Sequence, residues 1–217
     1  MVYQIDPRTT ALLLIDVQRE YFDEDRALYT DNARTILAHL VALRAAAHRV
    51  QMPTVFIRHV HAADGSDVGR MGDFDPTPVF VVGTPGVDII PALTPREGDI
   101  VIDKTRYSAF VGTPLASVLE TIGVDTLIVT GLMTNYCSVT TARHAHDLDY
   151  KVIFVLDANT GPDMPDLGFG AVSQARLCAP SPRHSPVVWP MCGAPMRSLL
   201  SLRATRPTAH RPAVVPM

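Results

Sequence analysis

A chain of 217 residues, 47% hydrophobic and 19% charged, holds enough apolar sequence for one globular domain with a full core, which excludes disorder along its whole length. Nineteen basic and 22 acidic residues leave a formal charge of −3, so the average shows neither a nucleic-acid footprint nor an acidic solvating tail. The average hides a seam: Gln174 to Met217 carries six Arg, eight of the 18 Pro and no Lys, Asp or Glu, which is +6 against −9 for residues 1–173.

Three cysteines, Cys137, Cys178 and Cys192, are odd in number and widely spaced, unlike a secreted disulfide scaffold, and predict a reduced intracellular chain. No apolar run approaches the roughly 18 to 20 residues of a membrane span. The first residues show neither a basic start nor an apolar stretch of the signal-peptide kind. The expectation is a soluble, cytoplasmic protein with no membrane or nucleic-acid partner.

In chain order, Thr10–Asp16 is a continuous apolar run ending in a carboxylate, the pattern of a strand buried on both faces. Apolar residues at helical spacing predict a helix from Asp31 to Val50, before Pro53, and Thr54–Arg58 reads as a second strand. From His59 to Pro95 the chain is rich in Gly and Pro, and a loop of that length in a compact domain is usually functional. Asp99–Asp103 is a third strand running into Lys104, Pro114–Ile122 a short helix ended by Gly123, and Thr126–Thr130 a fourth strand. A turn, Gly131–Cys137, leads into a helix through about Leu148, and Lys151–Asp157 is a fifth strand. This alternation predicts an α/β fold with a parallel sheet, whose sites lie at the carboxyl ends of its strands. The closely spaced prolines after Gln174 forbid a long helix or a central strand there.

Asp16, Lys104 and Cys137 all fall at carboxyl ends of these strands. A helix amino terminus and a nearby ammonium lower a thiol's pKa, so Cys137 is expected to be an activated thiolate. Asp16 would take and return a proton, and Lys104 would stabilise the thiolate. Each has an ordinary structural use when taken alone: packing for the cysteine, a turn cap for the aspartate, a solvated charge for the lysine. By position, Phe22, Arg58, His59, Tyr107, Asn135 and Tyr136 are candidates for the substrate pocket, with Tyr21 and Phe110 as further aromatic walls.

Three segments, Leu14–Gln18, Lys104–Phe110 and Val129–Cys137, resemble in order the motifs of the isochorismatase-like cysteine hydrolases, over about residues 8–170. The resemblance implies a Rossmann-like three-layer sandwich around a mainly parallel sheet. It assigns Asp16, Lys104 and Cys137 as a catalytic triad, the backbone amides of Met133 and Cys137 as the oxyanion donors, and a cis peptide between Leu132 and Met133. It also implies a homo-oligomer acting on a small molecule without a cofactor. Nicotinamidases of this family hold a metal through Asp-x-His after the second strand; here His59 stands where that aspartate would be, followed by His61, and no histidine lies between His61 and Cys137, so no metal is expected. A cysteine in place favours hydrolysis of a C–N bond in a small amide, carbamoyl or ureido compound. The alternatives are a vinyl ether hydrolase of the isochorismatase type, a catalytically impaired scaffold with a basic interaction tail, and a redox role for Cys137.

Two segments follow: a hydrolase domain, 1–173, and a divergent basic Pro-rich tail, 174–217, expected to be disordered or out of frame. Family members usually continue there into a helix, a strand and a last helix. The Pro- and Arg-rich composition instead resembles an out-of-frame reading of a GC-rich gene, with a native interaction tail as the alternative.

Overall fold

Strands apolar on both faces need cover on both, and the computed structural model supplies it with helices on either side of one sheet. The structure describes residues 5–73, 77–166, 168, 170–174 and 176, and the backbone of 192–194. Its elements are β1 (Thr10–Ile15), α1 (Arg19–Phe22), α2 (Asp31–Arg49), β2 (Thr54–His59), β3 (Ile100–Lys104), α3 (Leu115–Thr121), β4 (Thr126–Leu132), α4 (Val139–Asp147), β5 (Lys151–Thr160) and β6 (Cys192–Ala194). The sheet order is β3-β2-β1-β4-β5-β6, and every pairing is parallel. The expected three-layer α/β sandwich is what forms.

Side-chain alternation along each strand divides the core into two layers. Leu12, Leu14, Phe56, Ile128 and Val155 pack with Ile36, Leu40, Leu43 and Ala47 of α2 on one face. Ala11, Leu13, Ile15, Val55, Ile57 and Val129 pack with Leu115 and Leu119 of α3 and Ala142 and Ala145 of α4 on the other. The register between β4 and β5 slips after Val129, and the Asn159 amide fills the irregularity by donating to the Val129 and Val155 carbonyls at 2.9 and 2.8 Å.

The Gly- and Pro-rich stretch after β2 is ordered by short 3-10 turns at Gly69–Asp73, Pro85–Val87 and Pro91–Leu93, with α1 a further short turn unseen in the sequence. It is laced to the carboxyl edge of the sheet: the His61 amide donates to Phe80, that of Arg19 to Asp88, and that of Ile90 to Val17.

Described contacts continue past residue 173. Gln174 is buried, its amide N–H donating to Asp163 at 2.7 Å and its Nε2 to Thr134 Oγ1 at 2.6 Å. From the tail, Cys192–Ala194 adds β6 at the sheet edge beside β5, the position that neighbouring prolines permit. Cys178 and the question of a disordered or out-of-frame tail lie outside the described residues.

Candidate active site

Asp16 follows β1 directly, at φ 49°, a left-handed conformation that aspartate tolerates better than most residues. Beside it Ile15 pairs with Gly131 where the strand order reverses, and a Cβ on Gly131, at φ +118°, would run into the Ile15 carbonyl oxygen. Only glycine lets β1 and β4 come this close. β4 then ends in a cis peptide between Leu132 and Met133, as the family resemblance implies. The chain enters a π-helical turn, Thr134–Ser138, in which the amides of Tyr136 and Ser138 both donate to the Met133 carbonyl at 3.1 Å. Cys137 lies in that turn, one residue before the helical junction with α4.

Lys104 is the last residue of β3 and the register partner of His59 on β2. Its side chain crosses the end of β2 to reach β1, and its ammonium meets three acceptors: Asp16 Oδ2 at 2.9 Å, Cys137 Sγ at 3.3 Å and His59 Nδ1 at 3.1 Å. All four residues are buried, none more than 2% exposed. An ammonium has three N–H groups, and each has a partner here.

Asp16, His59 and Cys137 also offer one donor atom each within 4.8 Å of one another, the spacing of a metal site. The chemistry of the cluster argues against a metal: the Lys104 ammonium already sits among the three donors, and a second cation would have to displace it. His61 is committed elsewhere, with Nδ1 3.1 Å from Asp67 Oδ1.

The electrostatics correct one expectation. Burial, with Asp16 next to it, pushes the Cys137 thiol up to about 12 against the opposing pull of Lys104. The resting group is therefore a thiol rather than an activated thiolate. Burial raises the Asp16 carboxyl above its ordinary value, opposed by Lys104. For Lys104 burial acts downward, but Asp16 and Cys137 outweigh it and keep the ammonium charged. Burial and the Lys104 charge push His59 down to about 2, so its imidazole is neutral.

Of the proposed pocket residues, His59 joins the cluster. Tyr107 and Tyr136 stand with ring centroids 5.3 Å apart, near enough for the charges of Cys137 and Lys104 to act on the Tyr107 phenol. Asn135, within the Thr134–Ser138 turn, donates to the Met164 sulfur at 3.0 Å. Phe22 is core, packed in the α2 layer. Tyr21 is buried with its ring edge-on to Phe80, and Phe110 packs against His144 and Tyr150 in the other layer. Arg58 is not brought to the cluster: alternation puts it on the sheet face opposite His59, where it pairs Asp103 at 2.7 Å.

Two site residues escaped the sequence reading. Gln18 clasps the His59 main chain, accepting from its N–H at 2.7 Å and donating to its carbonyl at 2.8 Å, with a further bond to Val87. Phe80 stacks on the His59 ring at 4.8 Å with the planes 5° apart. Gln18 lay inside the first motif, two residues after Asp16; Phe80, on the long loop, carried no local signal.

The α/β sheet thus gathers a buried thiol, carboxylate and ammonium at its switch point. The Isochorismatase domain model matches residues 10–179. The chain is 31% identical over 182 residues to ureidoacrylate amidohydrolase RutB of Methylobacterium radiotolerans, covering 73% of this chain and 70% of that protein. It is 34% identical over 157 residues to nicotinamidase 3 of Arabidopsis thaliana, covering 70% and 75%. The crystal structure of a cysteine hydrolase from Pseudomonas syringae pv. phaseolicola superposes with a TM-score of 0.85 at 35% identity, over 92% of this chain and 94% of that one. The chain belongs to the isochorismatase family of hydrolases.

Proposed function

We propose that this protein is a cysteine-dependent amidohydrolase that cleaves a C–N bond of a small amide, carbamoyl or ureido compound through a thioester on Cys137. The observation that carries the reading is the single Lys104 ammonium bonded at once to Asp16 and to Cys137 Sγ. That arrangement holds acid, base and nucleophile at one point and keeps the net charge constant while a proton moves between sulfur and carboxylate.

In the proposed reaction Asp16 takes the thiol proton as Sγ bonds the carbonyl carbon. With the thiol up at about 12, deprotonation accompanies attack rather than preceding it, and the raised Asp16 carboxyl is the stronger base for it. The oxyanion faces the backbone amides of Met133 and Cys137, donors that typically lower a barrier by about 3 to 4 kcal/mol each when preorganised. Asp16 then gives its proton to the leaving nitrogen, the C–N bond breaks, and ammonia or an amine departs. Water, deprotonated by Asp16, attacks the thioester; the carboxylic acid leaves and the sulfur recovers its proton.

The substrate class is supported by similar proteins named for ureidoacrylate and nicotinamide hydrolysis. The test is a panel of small amides and ureido acids, read by product release and by intact mass. A hydroxylamine-labile acyl adduct on Cys137, with turnover abolished in Cys137→Ala, is expected. Turnover that survives Cys137→Ala, or cleavage of a vinyl ether with no adduct, overturns it.

A further inference from the structure

We propose that His59 is a positioning residue: its Nδ1 accepts the third proton of the Lys104 ammonium and so fixes the other two on Asp16 and Cys137. The inference rests on the proposed roles of those three residues and deepens them. The contact is 3.1 Å and lies between two groups that are each 1% exposed, so no bulk water competes for it.

The ring is held on every side. Gln18 grips the main chain of His59 through both its N–H and its carbonyl. Phe80 stacks on the imidazole, and the His61 ring approaches to 4.6 Å between centroids. Because Nδ1 faces an ammonium, its lone pair is the acceptor and the proton resides on Nε2. The imidazole is neutral, from its burial and the adjacent Lys104 charge.

Lysine is a point charge on a flexible four-carbon stem, free to rotate among acceptors. In the proposed reaction two of its acceptors change charge, sulfur and the Asp16 carboxylate, and a lysine held by those alone would follow the proton. His59 is the acceptor whose charge stays fixed. It anchors the ammonium while the other two exchange. The other charged and titratable groups facing the cluster are Tyr21 from α1, His61 after β2, Arg106 and Tyr107 after β3, and Tyr136 from the Thr134–Ser138 turn.

Three variants of the full chain separate the ring nitrogens from the ring itself. His59→Asn keeps an acceptor near Nδ1, His59→Gln keeps a polar atom only near Nε2, and His59→Phe keeps the stack on Phe80 and neither nitrogen. The readout is iodoacetamide labelling of Cys137 against pH, measured on its peptide by mass spectrometry, with thermal unfolding as the check that each variant is folded. It needs no substrate, so an absence of amide turnover in the wild type would sink the amidohydrolase reading and leave this test intact. His59→Asn is expected to label within about threefold of wild type. His59→Phe and His59→Gln are expected to slow labelling about tenfold across pH 8 to 9, the change in thiolate fraction that a rise of about one pH unit in the thiol produces. If His59→Phe fails to fold, the Asn and Gln pair carries the comparison. A wild-type profile in His59→Gln or His59→Phe, or an equal loss in His59→Asn, overturns the proposal.

Discussion

Two aspartates are buried at opposite edges of the same sheet and behave in opposite ways. Asp99, just before β3, is 3% exposed at its side chain and is fully partnered: Arg44 on Oδ2 at 2.8 Å, His48 on Oδ1 at 2.8 Å, and the Arg96 amide on Oδ2 at 2.8 Å. Burial pulls its carboxyl up, but those donors win and hold it below the ordinary value. Asp16, at the carboxyl edge, is fully buried, and although it is ion-paired to Lys104 and hydrogen-bonded with Cys137, burial leaves it raised. Depth and donors together set the direction: Asp16 lies deeper and its desolvation outweighs its partners, whereas Asp99 lies nearer the surface and its three donors win. The lowered carboxylate is a staple between α2 and β3, and the raised one has the basicity that the proposed reaction needs.

The largest expected effect comes from removing the reactive member. Asp16→Asn should lower turnover about 1,000-fold by deleting the proposed general base. The same change removes a negative neighbour that helps raise the Cys137 thiol, so labelling at pH 8 should become faster while catalysis collapses. Parallel loss of both would mean that Asp16 holds the fold rather than moves the proton. At the other edge, Asp99→Asn strands the buried Arg44 guanidinium, and breaking such a pair typically costs about 3 kcal/mol or more. Urea unfolding should show that loss, with turnover per folded molecule unchanged; a fall in specific activity would blur the distinction between staple and site.

Acid titration sharpens the contrast by sign. The folded pKa of Asp99 lies below its unfolded value, so its contribution is present above about pH 4 and disappears as pH falls through the lower folded value. The folded pKa of Asp16 is raised, so its linkage runs the other way: the contribution is present below about pH 4 and is lost as pH rises through the folded value. Asp99→Asn should therefore flatten the acid-side loss of stability, measured as urea midpoints from pH 5 to 2.5, whereas Asp16→Asn should leave that loss in place or steepen it.

Much of this was legible in the sequence because it depends on short-range pattern. Unbroken apolar runs marked the buried strands, and Asp16, Lys104 and Cys137 stood out because strand ends are where a parallel sheet gathers chemistry. What could not be read depends on depth and on distant contacts. A helix amino terminus beside an ammonium argued for a lowered thiol pKa, but the sequence could not show that burial and Asp16 would outweigh both. Phe80 reaches His59 from a stretch of loop whose only local signal was its glycines and prolines. Gln18 was visible inside a motif, yet its bonds to His59 join residues 41 apart in the chain. The contacts past residue 173 were hidden by the change of composition at Gln174, which is itself bonded to the Thr134–Ser138 turn.

The smallest expected effect concerns a third pair, Arg58 with Asp103, one residue back from His59 and Lys104 on the same two strands. The alternation of the pleat is all that separates them: His59 and Lys104 turn into the buried cluster, and Arg58 and Asp103 turn to the opposite face, where their side chains are 29% and 47% exposed. An ion pair of that exposure is generally worth at most about 1 kcal/mol, because water screens it and two long side chains lose freedom to form it. Arg58→Ala should therefore change the urea midpoint little, leave KM for any amide that turns over unaltered, and leave the pH profile of Cys137 labelling superimposable on that of the wild type. An increase in KM would return Arg58 to the substrate pocket and require the end of β2 to twist out of the alternation it shows, so this near-silent substitution checks the register on which the placement of His59 and Lys104 depends.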